Sequence, residues 1–167
     1  MLIFAIILSA FLAAVVFFDV TRFIIPNWVN IGIIAFYLPF LITYGDSIEW
    51  WWSLVVMLCF FVGGLVLFQF KVMGGGDIKL LVALSLWIGW QPNVLAAFGI
   101  WTAISGGILA LFLLVTRWYL IVVGSKMKKA PDLPKLFRWN EPVPYGLAIS
   151  YAFGYLLWTG QVFHFTY

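Results

Sequence analysis

Two aspartates border apolar segments of the chain, and such a pair could hydrolyse an amide bond. Asp19 directly follows the apolar run from Leu2 to Phe18, and Asp77 directly follows three glycines. Ionisable residues at the edge of a membrane bundle are costly to desolvate and are therefore functional candidates. When two carboxyl groups share one proton, the ionised one can take a proton from water while the protonated one polarises the carbonyl oxygen. The sequence thus predicts two-carboxylate hydrolysis if Asp19 and Asp77 meet in space.

Each aspartate also has a purely structural interpretation. Asp19 could pair with Arg22, which lies three residues on and on the same face of a continuing helix. Asp77 could be the N-cap of the next helix. A shared side of the membrane and a similar depth favour the catalytic interpretation for the two together. Helix dipoles would make Asp77 the initial base and Asp19 the initial acid, an order that a bond between Arg22 and Asp19 would remove.

The glycine run before Asp77 predicts a point where a substrate backbone can come close. Residues without a Cβ can adopt conformations closed to other residues, and they leave room for a bound chain. The run consists of Gly74, Gly75 and Gly76. Loop flexibility is the alternative explanation, whereas a P-loop is excluded because the pattern G-x-x-x-x-G-K-[ST] is not present.

The composition indicates that lipid surrounds these residues. Of the 167 residues, 65% are hydrophobic and only 9% are charged, whereas about 25% of an ordinary soluble domain is charged. Too little polar surface exists to coat a globule, so we expect one membrane domain over residues 1–167. The single cysteine, Cys59, excludes a disulfide framework and a Cys-based zinc site, and we expect neither a metal nor a cofactor. Nucleic-acid binding is not expected either, because membrane orientation explains the basic residues better.

Apolar runs predict an all-α, polytopic membrane protein with six transmembrane helices. A helix needs roughly 20 apolar residues to cross the hydrocarbon. Five runs are long enough, and a shorter sixth run ends at the turn signal Gln91-Pro92-Asn93. The predicted helices cover Leu2 to Phe18, Trp28 to Tyr44, Trp50 to Phe70, Leu80 to Trp90, Val94 to Thr116, and Val143 to about Phe165. Small residues predict close helix packing at Gly63, Gly64, Gly106, Gly107, Gly146, Ser150 and Gly154.

The basic residues predict how these helices are oriented. All nine lie on one side of the six predicted spans, whereas the opposite connections hold only Asp46 and Glu49 or no charge. Because Lys and Arg accumulate in cytoplasmic loops, both chain ends are predicted to face away from the cytoplasm, and both candidate aspartates to lie on the cytoplasmic side. An outer aromatic belt in contact with lipid is predicted from Trp50, Trp51, Trp52, Trp87 and Trp90.

Three short motifs follow one another along the chain. They are Asp19 with Arg22 and Ile25-Pro26-Asn27-Trp28, then Gly74-Gly75-Gly76-Asp77 followed by Ile78-Lys79-Leu80, and then Pro142-Val143-Pro144-Tyr145-Gly146. The second matches the G-x-G-D signature of intramembrane aspartyl proteases and resembles the version found in type IV prepilin peptidases. The first is similar to the first-aspartate segment of that family, and the third to the motif at the start of its last helix. The resemblance extends over essentially the whole chain.

By this resemblance Asp19 and Asp77 are the two catalytic aspartates of a peptidase in the bacterial inner membrane. The implied substrate is a prepilin whose short basic leader is cut on the cytoplasmic side, with the pilus assembly machinery as a further partner. Larger family members carry paired Cys-x-x-Cys motifs and methylate the new N-terminus, so one cysteine argues against zinc and methyl transfer. The chain resembles the short TadV/CpaA-type peptidases that serve Flp pili. The basic connection from Lys126 to Glu141 is expected to anchor at anionic lipid rather than to contact substrate; if the basic leader does bind there, Asp132 and Glu141 are the expected contacts.

Two other functions fit the same six spans. A small ion-coupled transporter could bind protons or cations at both aspartates, but no inverted repeat is evident and the carboxylates are expected at the cytoplasmic edge rather than at the midplane. A non-catalytic protein of the pilus assembly platform would tolerate changes to either carboxylate. We therefore predict an aspartic-type endopeptidase that cleaves prepilin leaders, with its oligomeric state left open.

Overall fold

The computed structural model describes residues 1–47, 49–71, 73–124, 135–137 and 142–163, and all regular elements in these ranges are helical. The predicted all-α class is thereby confirmed. Two short 3-10 turns lie at Gly45–Ser47 and Lys135–Phe137. The α-helices are α1 (Leu2–Arg22), α2 (Asn27–Tyr44), α3 (Trp50–Gln69), α4 (Gly75–Ile88), α5 (Pro92–Gly124) and α6 (Tyr145–Trp158).

Four of these helices are long and apolar enough to cross a membrane, namely α1, α2, α3 and the Pro92–Val122 part of α5. The helices α4 and α6 have 14 residues each. That number corresponds to about 21 Å at the α-helical rise, which is shorter than the roughly 30 Å hydrocarbon core. The six predicted helices are therefore present, while length and composition within the described ranges identify four of them as candidate spans.

The helix ends differ from the predicted ends in a way that places both aspartates inside helices. α1 continues past Asp19 and ends where Phe23 adopts a left-handed conformation, with φ 55°, and donates its N–H to the carbonyl of Asp19. Such a residue closes the helix and satisfies one of its last carbonyls. α4 begins at Gly75, ahead of the apolar run that starts at Leu80, so Asp77 lies in its first turn, at the helix start where the sequence placed it.

α6 starts later than predicted because of its proline. Pro144 is the N-cap, and the residue before a proline, here Val143, is disfavoured in the α conformation. Gly160, with φ 78°, follows the end of the helix. The helix ends at Trp158, before the predicted end at about Phe165, because residues 159–163 are described and are not helical; residues 164–167 lie outside the described residues. α5 is longer than predicted, because it continues past the predicted end at Thr116 to Gly124.

α4 lies at the centre of the bundle. It packs against α2, α3 and α6, and α6 also packs against α1 and α5. The surrounding helices expose many large apolar side chains, as contact with lipid requires. The buried residues of α4 are Ile78, Leu80, Ala83, Leu84, Ser85, Leu86, Trp87 and Ile88.

Trp87 belongs to this core and not to the outer aromatic belt in which the sequence placed it. Its side chain is buried, and its ring centroid is 5.0 Å from that of Phe40 in α2. Its Nε1–H donates to the carbonyl of Ile33 at 3.1 Å, because a buried indole needs an acceptor for its N–H. The other predicted belt residues are exposed, as a belt requires, and these are Trp50, Trp51, Trp52 and Trp90.

Candidate active site

The two candidate aspartates lie at the ends of two different helices. Asp19 is in the last turn of α1 and is 5% exposed. Asp77 is the third residue of α4 and is half-buried. Burying a carboxyl group is costly unless donors satisfy its oxygens. In both cases the donors are backbone N–H groups at the start of a helix.

The first turn of α6 brings the two carboxylates together. The N–H of Leu147 donates to Asp19 Oδ2 at 3.2 Å, and the N–H of Gly146 interacts with the carboxylates of both Asp19 and Asp77. The first N–H groups of a helix have no partner within the helix, and they attract anions. The start of α6 therefore holds the two candidate catalytic groups beside each other.

Asp77 also stabilises the start of its own helix, although not in the way the sequence predicted. Gly74, not Asp77, is the N-cap of α4. Asp77 occupies the third helical position, and its carboxylate accepts a hydrogen bond from the N–H of Gly74. This arrangement is one half of a capping box. The structural role and the position beside Asp19 coexist in the same side chain.

Gly146 contributes more than the close helix packing predicted for it. A Cβ at this position would lie 2.7 Å from Asp19 Oδ2 and 2.9 Å from Ile25 Cδ1. Real Cβ atoms do not approach other atoms so closely, so only glycine fits here without movement. A small residue directly after Pro144-Tyr145, at a helix start, is the signal that could have identified this role.

Arg22 does not bond to Asp19, so the predicted structural pair is not formed. Its guanidinium carbon lies 5.2 Å from the centroid of the Phe18 ring, and the side chain is exposed. Asp19 remains in the last turn of α1, although it also meets the N-terminal end of α6, and Asp77 lies in the first turn of α4. The order with Asp77 as initial base and Asp19 as initial acid stays a prediction.

The glycine run lines the site but adopts ordinary backbone conformations. Gly74 has φ −70° and ψ 148°, and Gly75 and Gly76 are helical. The expectation that these glycines use conformations closed to other residues is therefore wrong. The remaining explanation for glycine in this run is the space that a missing side chain leaves. A Cβ at Gly74 would lie only 3.0 Å from Asp77 Oδ2.

The three sequence motifs converge on one cavity of about 1080 Å³. At its rim Lys79 Nζ donates to Asn27 Oδ1 at 2.9 Å, which links α4 to α2. Among the predicted site residues, Arg22 and Gly146 are not part of the cavity lining. The predicted residues that line it are Asp19, Pro26, Asn27, Gly74, Gly75, Gly76, Asp77, Lys79, Pro144 and Tyr145.

Several residues near the aspartates were not singled out from the sequence. Leu147 acts through its backbone N–H, which no side-chain pattern reveals. Phe23 and Phe68 line the cavity, and only the fold brings them there. The predicted leader contacts Asp132 and Glu141 lie outside the described residues.

A metal site does not emerge from the described residues. Within these ranges no group of three or more His, Cys, Asp or Glu side chains could hold a metal ion. The expectation that the protein needs no metal stays a prediction.

The sequence of the chain matches a known protein family. Residues 6–124 match the type IV leader peptidase family. The chain belongs to this family. The matched range contains both Asp19 and Asp77, and it ends before α6 begins. The resemblance to type IV prepilin peptidases is thereby confirmed, and family membership makes the chain a membrane peptidase. No curated protein and no solved structure gives a significant match to the chain.

Proposed function

We propose that this member of the type IV leader peptidase family is an aspartic endopeptidase that removes the basic leader of a prepilin of the Flp type. Asp19 and Asp77 are its catalytic residues. The observation that carries this proposal is the convergence of both carboxylates on the N–H of Gly146, beside a cavity lined by all three motifs. Two carboxylates that only capped their own helices would not be expected to share a backbone donor at the start of a third helix.

The pair supplies the chemistry of amide hydrolysis without a cofactor. Two carboxyl groups held close together ionise together only at high cost, so the pair retains one proton. The ionised carboxylate takes a proton from water as the water oxygen bonds to the scissile carbonyl carbon, and the protonated carboxyl donates to the carbonyl oxygen. The C–N bond then breaks, and a proton passes from the pair to the leaving amine. The products are a carboxylic acid and a free amine.

Other residues of the site position these groups. The Leu147 and Gly146 N–H groups hold Asp19, and the Gly74 N–H holds Asp77. The lack of side chains at Gly74 to Gly76 leaves space for the substrate backbone beside Asp77. The bond between Lys79 and Asn27 keeps the starts of α4 and α2 together at the rim of the cavity.

In the proposed topology the protein lies in the bacterial inner membrane with the cavity at the cytoplasmic side. Lys71 and Lys79 flank the start of α4, and Arg22 ends α1, whereas Asp46 and Glu49 lie at the other end of the bundle. This distribution supports cytoplasmic placement of the aspartates. The two short helices complete six spans, because α4 and α6 are covered largely by protein and need not match the lipid thickness on their own.

The decisive test replaces each aspartate by its near-isosteric amide. Asp19→Asn and Asp77→Asn should each lower cleavage of a co-expressed Flp-type prepilin by about 10³-fold or more, because neither variant retains a pair that can share a proton. Cleavage is measured by the mobility shift of the tagged prepilin and by N-terminal sequencing of the product. Unchanged membrane insertion and thermal unfolding show that the variants still fold.

Asp46→Asn is the matched control, because Asp46 is exposed and lies at the opposite end of the bundle. It should process the prepilin at the parent rate. If Asp19→Asn or Asp77→Asn also does so, the proposal is wrong and a non-catalytic role in pilus assembly becomes the better explanation. The transporter alternative has no observation in its favour once the family is known.

A further inference from the structure

A groove of about 580 Å³ opens between α2 and α3, next to the catalytic cavity. Both helices pack against α4, and outside the groove lining they contact each other through the Tyr37 hydroxyl, which donates to Ser53 Oγ at 3.0 Å. Gly75, Ile78, Lys79 and Val82 of α4 therefore form the floor of the groove. Its walls are Asn27, Asn30, Ile31 and Ile34 of α2, and Phe61, Leu65 and Phe68 of α3.

The groove contains a buried amide with nothing to bond to. Asn30 is 4% exposed, and neither its Nδ2 nor its Oδ1 has a hydrogen-bond partner among the described residues. An unpartnered polar group in an apolar setting costs free energy. A carboxamide with both its donor and its acceptor free is complementary to a peptide unit, which presents one C=O and one N–H.

The groove and the catalytic cavity are continuous. Asn27, Phe68, Gly75 and Lys79 line both spaces. From Asn27 to Ile34 the groove follows α2 for about 10 Å, away from the aspartates and along the membrane-facing side of the bundle. A peptide lying across the aspartates can therefore extend into the groove without a break.

We propose that this groove binds the part of the substrate on the C-terminal side of the scissile bond and that this part is apolar. The Asn30 carboxamide hydrogen-bonds to one of its peptide units. This inference rests on the proposed function. The apolar walls formed by Ile31, Phe61 and Leu65 suit apolar side chains, whereas a basic leader would be poorly solvated there. A substrate backbone that is extended near the cut exposes peptide groups inside lipid, and these groups need protein partners.

The first test is the substitution Asn30→Leu, which removes both hydrogen-bonding atoms at nearly constant volume. With a purified full-length prepilin in detergent, KM should rise about tenfold while kcat changes little, because the lost bonds are present in both the bound substrate and the transition state. The thermal unfolding temperature of the free protein should stay the same or rise, since an unsatisfied polar group is removed. A residue needed merely for folding would instead lower stability.

Thr102→Val is the matched control, because Thr102 Oγ1 in α5 is also buried without a partner among the described residues and does not line the groove. It should leave KM unchanged. If Asn30→Leu also leaves KM unchanged while Asp19→Asn abolishes cleavage, the groove proposal is overturned and the proposed function stands. If the aspartate variants still cleave, the proposed function itself is at fault.

The second test locates the bound segment directly. A benzophenone amino acid replaces Leu65 in an Asp77→Asn background, which holds the prepilin without cutting it. After illumination, mass spectrometry should find crosslinks from position 65 to residues that follow the scissile bond. The same group at Leu111, an exposed residue of α5, is the control and should give none. Crosslinks to the leader, or equal yields at both positions, would overturn the proposal.

Discussion

The environment of Asp19 depends on contacts that are distant along the chain. Its nearest charged neighbour in sequence, Arg22, contacts the ring of Phe18 instead. Its hydrogen bond comes from Leu147, 128 residues away. A buried carboxylate takes whatever donors packing provides, and here packing provides the free N–H groups at the start of α6. One of them, the N–H of Gly146, also reaches Asp77, which is why the two acids are found together.

Gly146 offers a sharp test of this arrangement. Gly146→Ala should lower prepilin cleavage by about 10²-fold, because the new Cβ would displace Asp19 Oδ2 from its position, and small displacements of reacting groups cost rates of that order. The measurement is the rate of leader removal from a purified prepilin.

Gly154→Ala is the control for Gly146→Ala on the same helix. A Cβ at Gly154 would make only an ordinary contact, 3.7 Å from Leu12 Cδ1. This variant should cleave at close to the parent rate. Equal rates for Gly146→Ala and Gly154→Ala would show that the N–H of Gly146 does not need its present distance from Asp19.

Close packing between helices decides how α4 presents its first turn to the other helices. At the contact of α3 with α4, Gly64 is buried and a Cβ added to it would overlap Ile78 Cγ2. Ile78 directly follows Asp77, so the approach of α3 also positions the catalytic turn. The neighbouring Gly63 has nothing within 4 Å of an added Cβ. The small-residue pattern thus identified the right segment, but one glycine of the pair faces the protein and the other faces outwards.

Gly64→Ala should therefore destabilise the protein by about 1–3 kcal/mol, the usual cost of overpacking a close contact. Thermal or denaturant unfolding of the protein in detergent measures this change. Gly63→Ala should leave the stability within about 0.5 kcal/mol of the parent, because it adds a methyl group at an open position. Similar losses in the two variants would contradict the assignment of Gly64 to the α3–α4 contact.

The molecule combines an apolar exterior with charges gathered at the ends of its helices. Exposed apolar side chains cover α3 in particular, where only Ser53, Val56 and Gly64 are buried. The carboxylate pair and the cavity occur at the end of the bundle that carries Arg22, Lys71 and Lys79. From the positive-inside tendency of membrane proteins we propose that this end lies in the cytoplasm.

Cysteine labelling tests that orientation. In a Cys59→Ala background, Asp46→Cys should react with a membrane-impermeant maleimide added to cells whose outer membrane has been made permeable. Lys71→Cys should react only after the inner membrane is opened. Both positions are exposed, so access and not burial governs the outcome. The reverse labelling pattern would refute cytoplasmic placement of the aspartates.

The number of helices and the two candidate aspartates could be predicted from the amino-acid sequence alone. Long apolar runs have few alternatives to helices in lipid, because backbone groups must be bonded within the segment. The motif around Asp77 consists of consecutive residues, so it can be identified in the sequence without knowledge of the fold. The break between α4 and α5 was also predicted, although Pro92 and Asn93 begin α5 instead of belonging to the turn.

Helix length, burial and the donors of the site depended on three-dimensional packing. The sequence placed Trp87 in the outer belt and offered Arg22 as the alternative, structural partner of Asp19. Periodicity and spacing compare only residues that are near one another along the chain. The covered face of α4 depends on its packing against α2, α3 and α6, and the N–H of Leu147 at the start of α6 donates to a side chain 128 residues away. The sequence identified Gly146 as a motif residue, but its close approach to Asp19, a side chain of another helix, came only from the fold.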